Sequence, residues 1–255
     1  MSLILTPLSD IPMIHTGDDL TDIIIHGLQK SGATLQNGDI LVLAQKIVSK
    51  VEGRWVNLVT IQPSIQASEL ARKIEKDPRM VELILRESNH VLRTRVGTII
   101  VEHRLGFVCA NAGIDHSNVA GEGDGSDEWV LLLPENPDFS AQSIREKLEL
   151  YSGVRLGVMI IDSHGRAWRQ GVVGVAIGLA GMPGLVDMRG KNDLFGYTLR
   201  VTTIGVADEL AAAASLVMGQ ADEGTPVVHV RGFPYALREG NLKELLRDKE
   251  QDLFR

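Results

Sequence analysis

Cysteine is almost missing from this sequence of 255 residues, in which Cys109 is the single example. One cysteine excludes an internal disulfide and is typical of a protein kept in a reducing compartment. No apolar run reaches the length that a membrane-spanning helix needs, and the first 18 residues lack the basic and apolar segments of a signal peptide. We therefore expect a cytoplasmic protein without a membrane partner.

Positive charge is also in short supply, because 26 lysines and arginines face 33 aspartates and glutamates and leave a net charge of -7. Such a balance disfavours a nucleic-acid partner. The seven histidines form no i, i+4 pair and have no cysteine companion, which argues against a zinc site. There is no Walker-type phosphate loop. The acidic, glycine-rich residues 121–128 are not placed between a strand and a helix and are predicted to form a solvated flap.

The apolar residues that are present, 44% of the chain, suffice for one large domain or two modest ones. Their periodicity predicts strands at residues 3–5, 40–44, 91–95, 98–103, 106–110, 129–133, 154–161, 172–180, 197–204 and 226–230, and helices at 18–30, 63–75, 77–88, 140–151, 206–218 and 241–254. Strands occur in clusters and do not alternate strictly with helices. This pattern favours an α+β fold of two subdomains, with a boundary near residues 115–129, over a doubly wound parallel sheet.

The most informative stretch, residues 162–174, directly follows the very apolar run 154–161. If a buried strand ends there, Asp162 and Ser163 lie where ligands usually bind, and a carboxylate beside a hydroxyl suits a hard divalent cation. Arg166 and Arg169 suit phosphate. The stretch therefore indicates a site for a metal-bound nucleoside triphosphate. A salt bridge from Asp162 to either arginine is an equally good explanation of the carboxylate.

Two further loops carry polar side chains that could belong to the same site. Asp115 could ligate a metal and Asn118 could bind a base or ribose, although an Asx turn explains both residues when they are taken alone. Residues 218–226 join a helix to a strand, and their amide, carboxylates and glycines could hold cations and phosphates. A helix end closed by Gly219 is the simpler interpretation. Lys50 could reach a phosphate or could serve as a partner of the helix dipole.

Taken together, these segments resemble the coenzyme F420-0:γ-glutamyl ligases. The matching stretches are Gly38-Asp-Ile-Leu-Val42, Val48-Ser-Lys-Val-Glu-Gly-Arg54, Asn111-Ala-Gly-Ile-Asp-His-Ser-Asn-Val119, Leu131-Leu-Leu-Pro134, Asp162-Ser-His-Gly-Arg166, Gly171-Val-Val-Gly-Val-Ala-Ile-Gly178, Ala207-Asp-Glu209 and Met218-Gly-Gln220. They follow the family order over essentially the whole chain. We expect residues 1–255 to form a single ligase unit without the C-terminal flavin domain of some fused members.

The resemblance implies an intertwined homodimer of α+β protomers that uses GTP, Mg²⁺ or Mn²⁺, and K⁺. The implied reaction adds L-glutamate to the deazaflavin coenzyme F420-0, and then a further γ-linked glutamate, through an acyl phosphate. Two alternatives remain: a metal-dependent nucleotide enzyme of the same scaffold with another carboxylate acceptor, and a non-catalytic nucleotide- or deazaflavin-binding protein. Two metal-ligand carboxylates favour an enzyme, because a binding protein does not need them.

Site residues are implied position by position. The resemblance makes Asp115 and Asp162 ligands of the first metal and puts Ser163 and Gln220 at the second, while Arg166 and Arg169 would offset substrate charge. The implied GTP-binding residues are Ile11, Pro12, Met13, Ile14, Lys50, Asn118, Met218, Gly219, Gln220, Ala221, Asp222, Glu223, Gly224 and Thr225, together with Gln45 and Lys46. Family members often have Thr in place of Ser163, and archaeal members have Ser-Thr in place of Gln45-Lys46.

Overall fold

A five-stranded sheet in the order β1-β12-β2-β8-β9 forms the centre of the computed structural model, which describes residues 2–119 and 128–253. Its strands are β1 (Ile4–Pro7), β2 (Ile40–Ala44), β8 (Gly157–Gly165), β9 (Val172–Ala180) and β12 (Val227–Arg231). Only β2 and β8 pair in parallel, with Ala44 opposite Ile161, and the other neighbours are antiparallel. Mixed pairing of this kind belongs to an α+β protein, so the predicted fold class is confirmed.

Both faces of this sheet are covered by helices. On one face lie α1 (Leu20–Lys30), α2 (Gln45–Val51) and α5 (Pro137–Ser152), and on the other lies α6 (Val206–Met218). Successive β2 side chains enter the two cores alternately, since strand residues point to opposite faces in turn. Burial on both sides explains why β2 and the first half of β8 are continuous apolar runs.

A second cluster of elements has its own apolar core. It contains α3 (Ile65–Ile74), α4 (Pro78–Arg86) and a three-stranded antiparallel sheet of β4 (Ser88–Arg95), β5 (Thr98–His103) and β6 (Val108–Ala110). As predicted, Asp77 caps α4 and Pro78 begins it. Cys109 is a small buried apolar residue of this core. The remaining strands pair as β3 (Trp55–Asn57) with β7 (Trp129–Leu131) and β10 (Val186–Asp187) with β11 (Thr203–Ile204).

The glycines of β9 allow close packing rather than ligand approach. A Cβ added at Gly174 would lie 2.5 Å from the Ala211 carbonyl oxygen of α6, and one at Gly178 would overlap Pro137 of α5. Helices on both faces therefore rest directly on this strand. Small alanines on the buried side of α6 complete the contact.

Several predicted elements have different bounds. The strand predicted at 154–161 begins at Gly157 and continues to Gly165, because pairing with β9 extends it. The helix predicted at 140–151 starts at Pro137, where Asn136 rather than Ser140 supplies the cap. Of the strand predicted at 197–204, only Thr203–Ile204 forms, and residues 188–202 are a long loop.

The charged helix predicted at 241–254 is wrong over the described residues 241–253, which contain only short 3₁₀ turns. The backbone of this segment forms tertiary hydrogen bonds instead of helical ones: the Leu242 N–H donates to the Asp138 carboxylate. The Glu244 side chain in turn accepts a hydrogen bond from the backbone N–H of Gly184.

The flap predicted at 121–128 lies almost entirely outside the described residues, and the predicted boundary near residues 115–129 stays a prediction. None of the helices in the described ranges is long and apolar enough to cross a membrane.

Candidate functional site

Asp162 lies inside β8, opposite Val175 of β9, rather than beyond the end of the strand. Its side chain is largely buried, and its Oδ2 is 3.0 Å from Nε2 of His164, two residues further along the same strand face. The contact lacks hydrogen-bond geometry, so Nε2 of His164 is a buried nitrogen without a hydrogen-bond partner among the described residues. Across the described chain no ion pair joins Asp162 to Arg166 or Arg169, so the salt-bridge alternative is wrong.

Asp115 follows the turn Asn111–Gly113 and exchanges two backbone hydrogen bonds of 2.9 Å with Leu131 of β7. Its Oδ2 accepts a hydrogen bond of 2.5 Å from the Gln45 side-chain amide, and its Oδ1 is 3.4 Å from Nζ of Lys46. The Asx-turn interpretation therefore does not describe this carboxylate. It is turned toward the start of α2 and makes long-range contacts there.

The electrostatics of Asp115 tie it to Asp162. Burial raises the pKa of Asp115 to about 6, against the opposing effect of the Lys46 ammonium, and the negative charge of Asp162 raises it further. Burial also raises the pKa of the Cys109 thiol to about 12, and Asp162 contributes there too. Two carboxylates and few cations thus share one largely buried region, which favours an added positive charge.

Ser163 and Gln220 are joined directly, as the second predicted pair. The Ser163 hydroxyl donates to Oε1 of Gln220 at 2.9 Å, and Nε2 of Gln220 donates to the Ser215 hydroxyl of α6 at 2.9 Å. Successive residues of β8 point to opposite faces, so Ser163 lies on the α6 side while Asp162 lies on the side of α2. The four predicted metal residues therefore form two separate pairs. No cluster of three His, Cys, Asp or Glu side chains suited to a metal occurs within 2–119 and 128–253.

The loop after α6 is brought to the Asp115 segment by Asn118, whose side-chain amide donates to the Ala221 carbonyl at 3.0 Å. The Thr225 hydroxyl closes the loop by donating to the Met218 carbonyl. Glu223 accepts from the Ala221 N–H, and backbone hydrogen bonds of this kind lower the pKa of its exposed carboxyl. The carboxylate also lies against Gly219, where any Cβ would overlap it. The simpler interpretation, a closed helix end, accounts for this part of the loop.

The two lysines of α2 differ in their surroundings. Lys46 also reaches the Ser117 carbonyl and hydroxyl oxygens at 3.3 and 3.2 Å, so it links α2 to the Asp115 loop. Lys50 is buried with its Nζ 5.5 Å from the centre of the Trp55 ring. Burial lowers the pKa of Lys50, and the charge of Lys46 acts in the same direction. Lys50 is thus not the surface dipole partner that a lone lysine at a helix end usually is.

The remaining predicted residues are spread over different environments. Ile14 is buried in the main core and Ile11 packs against it, whereas Pro12 and Met13 are exposed. Arg166 and Arg169 are exposed in the loop between β8 and β9. The structure therefore does not bring either arginine to the two carboxylates.

Sequence reasoning missed the groups that hold the predicted ligands in place. The buried Ser49 donates to Oε1 of Gln45 at 2.9 Å, which orients the amide nitrogen of Gln45 toward Asp115. The i, i+4 spacing of Ser49 and Gln45 on a helix was an available signal. The roles of Ser215 and His164 depend on tertiary packing and have no local signature.

A groove of about 740 Å³ lies on the other side of α2 and contains none of the predicted residues. It is bounded by the start of α1, the end of α2 and the start of α5. Its lining includes Asp18, Asp19, Glu52 and Glu135 against Arg54 and Lys147. Because the groove contains none of the predicted ligands, the chemistry is assigned to the carboxylate side of α2.

The chain is similar to known proteins over most of its length. The family described as F420-0:Gamma-glutamyl ligase matches residues 9–232. The chain belongs to this family. It is 47% identical over 257 residues to the Coenzyme F420:L-glutamate ligase of Methanothermobacter thermautotrophicus, covering 100% of both chains. Identity is 48% over 221 residues to the ligase of that name from Methanococcus maripaludis, covering 87% of this chain and 86% of the other.

A third relative, from Methanopyrus kandleri, carries the same name and is 47% identical over 246 residues, with 95% of this chain and 93% of the relative covered. The family resemblance carried by the motifs is therefore confirmed. The relative from Methanothermobacter thermautotrophicus matches the whole chain, and the family match over residues 9–232 includes Asp115, Asp162 and the loop after α6.

Proposed function

We propose that this protein is a GTP-dependent ligase that joins L-glutamate to coenzyme F420-0 and then adds a second, γ-linked glutamate. The relatives named above are Coenzyme F420:L-glutamate ligases, and they match nearly the full chain. The observation that carries the proposal is the pairing of Asp115 with Asp162, two carboxylates of distant segments that share one region next to Lys46. Such a constellation serves phosphoryl transfer, which depends on positioning and charge neutralisation.

The reaction must overcome the poor electrophilicity of a carboxylate. An oxygen of the acceptor carboxylate takes the γ-phosphoryl group of GTP, so that the bond between the γ-phosphorus and the bridging oxygen breaks and GDP leaves. The α-amine of L-glutamate then attacks the acyl carbon, phosphate leaves with its oxygen, and the amine gives up a proton. No serine or cysteine nucleophile is needed, which agrees with the buried, protonated state of Cys109.

The side chains fit two Mg²⁺ or Mn²⁺ ions. Asp115 and Asp162 would hold one ion, and Ser163 with Gln220 would contribute to the other, since all are hard oxygen donors. When bound, the cations would neutralise phosphate charge and align the reacting oxygens. The raised pKa of Asp115 supports the fit, because two neighbouring buried carboxylates are unfavourable without a cation. K⁺ is proposed as an additional requirement.

Nucleotide binding is proposed for the surface between the two loops and α2. Asn118 and the 218–225 loop are already joined through Ala221, and Lys46 presents a positive charge beside them. Backbone N–H groups of a glycine-containing loop suit phosphate oxygens. The buried Lys50 would act on the same side of α2 by its charge rather than by a surface contact.

A homodimer is proposed from the loop between β10 and β11. Its Leu194 and Phe195 are 98% and 95% exposed, and Val201 is 87% exposed. Three large, exposed apolar side chains on one loop are typical of a surface that another chain covers. A second copy of this chain is the proposed occupant, in accord with the intertwined dimer that the family resemblance implies.

The decisive experiment combines the full-length protein with F420-0, GTP, Mn²⁺ and L-glutamate and reads the product masses alongside GDP. We expect products that carry one and two added glutamates, with one GDP for each. Replacing L-glutamate by hydroxylamine should trap the acyl phosphate as a hydroxamate. GDP release that does not require F420-0 would reject the acceptor, and F420-0 binding without GDP release would identify a non-catalytic binding protein.

A further inference from the structure

The loop between β8 and β9 carries an unusual combination of side chains at its tip. Trp168 is 89% exposed and adopts a left-handed backbone conformation with φ of 62°. A bulky residue with positive φ is a true outlier, so the loop holds this indole outward at a conformational cost. Arg166 and Arg169 flank it, both exposed, and neither forms an ion pair with a carboxylate of residues 2–119 or 128–253.

The chemistry of this tip matches a flat, anionic ligand. An exposed indole offers a face for stacking, and guanidinium groups bind phosphate through paired N–H donors. Arg166 and Arg169 put two positive charges within two positions of this indole, on a protein whose net charge is -7. The loop between β10 and β11 also pairs an aromatic ring with an arginine, since Arg200 lies 6.0 Å from the centre of the Tyr197 ring, but that loop does not extend from β8, the strand that holds Asp162.

The position of the tip relative to the carboxylates sets the length of that ligand. Gly165, the last residue of β8, lies three positions after Asp162, a distance of about 10 Å along an extended strand. A molecule whose reacting carboxylate lies near Asp162 would therefore need a long chain to reach Trp168. Coenzyme F420-0 has this form, because a phosphodiester and a sugar-alcohol chain separate its deazaflavin ring from its carboxylate.

We propose that the β8–β9 tip is the subsite for the ring and phosphodiester of the acceptor, with Trp168 stacked on the deazaflavin and Arg166 and Arg169 on the phosphodiester. The inference rests on the proposed function and adds residues that determine acceptor specificity. β8 then serves the acceptor at both ends: Asp162 lies near the activated carboxylate, and the tip holds the distal ring.

The test measures the Kd of F420-0 without nucleotide, from the fluorescence anisotropy of its deazaflavin, in the full-length protein. Trp168→Ala should raise this Kd about 5- to 100-fold, the range found for lost base–aromatic stacking. Trp168→Phe should recover most of the affinity, because a smaller ring still stacks. Arg166→Met and Arg169→Met should weaken binding most at low salt. The Kd of GTP should change less than about twofold in all four variants.

The matched control is Phe139→Ala, which removes another exposed aromatic ring from α5, in the acidic groove. It should leave the Kd of F420-0 unchanged. An acceptor fragment that keeps the phosphodiester and carboxylate but lacks the ring should bind equally to wild type and Trp168→Ala. If Trp168→Ala binds intact F420-0 like wild type, or changes only the sedimentation coefficient, the subsite is rejected while the ligase function stands. If wild type neither binds F420-0 nor releases GDP with it, both proposals fall.

Discussion

The Gln45 side chain donates a hydrogen bond of 2.5 Å to Asp115, and its amide oxygen accepts from Ser49. Gln45 and Lys46 are the positions at which the family resemblance implies Ser-Thr in archaeal members. In the structure both contact a proposed metal carboxylate, and Lys46 also contacts Ser117. The departure therefore concerns the charge of the metal site at least as directly as the nucleotide.

The first prediction follows from that contact. In Gln45→Ser/Lys46→Thr, the competing ammonium 3.4 Å from Asp115 is removed, so Mn²⁺ should bind more tightly by about threefold to tenfold. Titration of free Mn²⁺ by electron paramagnetic resonance measures this directly. The kcat/KM ratio for GTP over ATP should rise in the same variant if the lysine also attracts phosphate regardless of base. An unchanged ratio would make both side chains supports of Asp115 alone.

A second prediction concerns Asp162. Asp162→Asn keeps the shape of the side chain but removes its charge, and turnover should fall at least about 10²-fold. The thermal midpoint should hold, because within residues 2–119 and 128–253 Asp162 forms no hydrogen-bonded ion pair that the fold needs. Asp22→Asn on the exposed side of α1 is the matched control and should turn over normally. Near-normal activity in Asp162→Asn would exclude Asp162 from the metal site.

Ser163 gives a third prediction through its hydroxyl. Ser163→Thr keeps the oxygen that bonds Gln220 and should remain active. Ser163→Ala removes the hydrogen bond to Oε1 of Gln220 and leaves the one from Nε2 to Ser215, so the metal concentration for half-maximal rate should rise several-fold. Activity measured against Mn²⁺ concentration distinguishes the two variants. An identical curve for Ser163→Ala and wild type would remove Ser163 from the second metal.

The fourth prediction concerns stability and pH. Although burial opposes it, hydrogen bonds from Arg231 and His229 hold the pKa of Asp39 well below its ordinary value. A lowered carboxyl pKa stabilises the fold above about pH 4, and that contribution is lost as the pH falls toward the native pKa. Asp39→Asn should therefore cost about 3 kcal/mol in urea unfolding at pH 7 and less at pH 3. An equal cost at both pH values would contradict this.

The fifth prediction tests the dimer. Leu194→Ser/Phe195→Ser removes two almost fully exposed apolar side chains, so sedimentation velocity should show monomers at concentrations where wild type is dimeric. Val59→Ser/Ile65→Ser changes two other exposed apolar residues and should leave the dimer intact. A dimer that survives the first double substitution would place the interface elsewhere.

The fold class and most elements could be predicted because they follow local periodicity and caps, as at Asp77–Pro78. The end of β8 could not, since its last residues are held by pairing with β9 rather than by their own apolar pattern. The C-terminal helix failed for a similar reason: Asp138 lies 104 positions from the N–H that it binds at Leu242. The amphipathic spacing of a segment cannot predict hydrogen bonds to partners so distant in sequence.

Of the site, the motifs identified the candidate ligands but not their surroundings. Ser163 and Gln220 are 57 positions apart and meet only because α6 packs on β9 through Gly174. The long-range contacts of Asp115 with α2 likewise could not be predicted from the sequence of its own loop. Arg166 and Arg169 were grouped with the carboxylates because they are near in sequence, whereas an extended hairpin carries them away.

The parallel pairing of β2 with β8 also determines which parts of the gene can change length. Because Ala44 pairs with Ile161, the start of α2 lies next to Asp162. Deleting one codon between Gly157 and Ile161 would turn the carboxylate toward α6 and the hydroxyl toward α2, and so exchange the two ligand pairs. Codons of the 188–202 loop are under no such constraint from the sheet. Insertions and deletions among homologues should therefore occur in the 188–202 loop and not in β8.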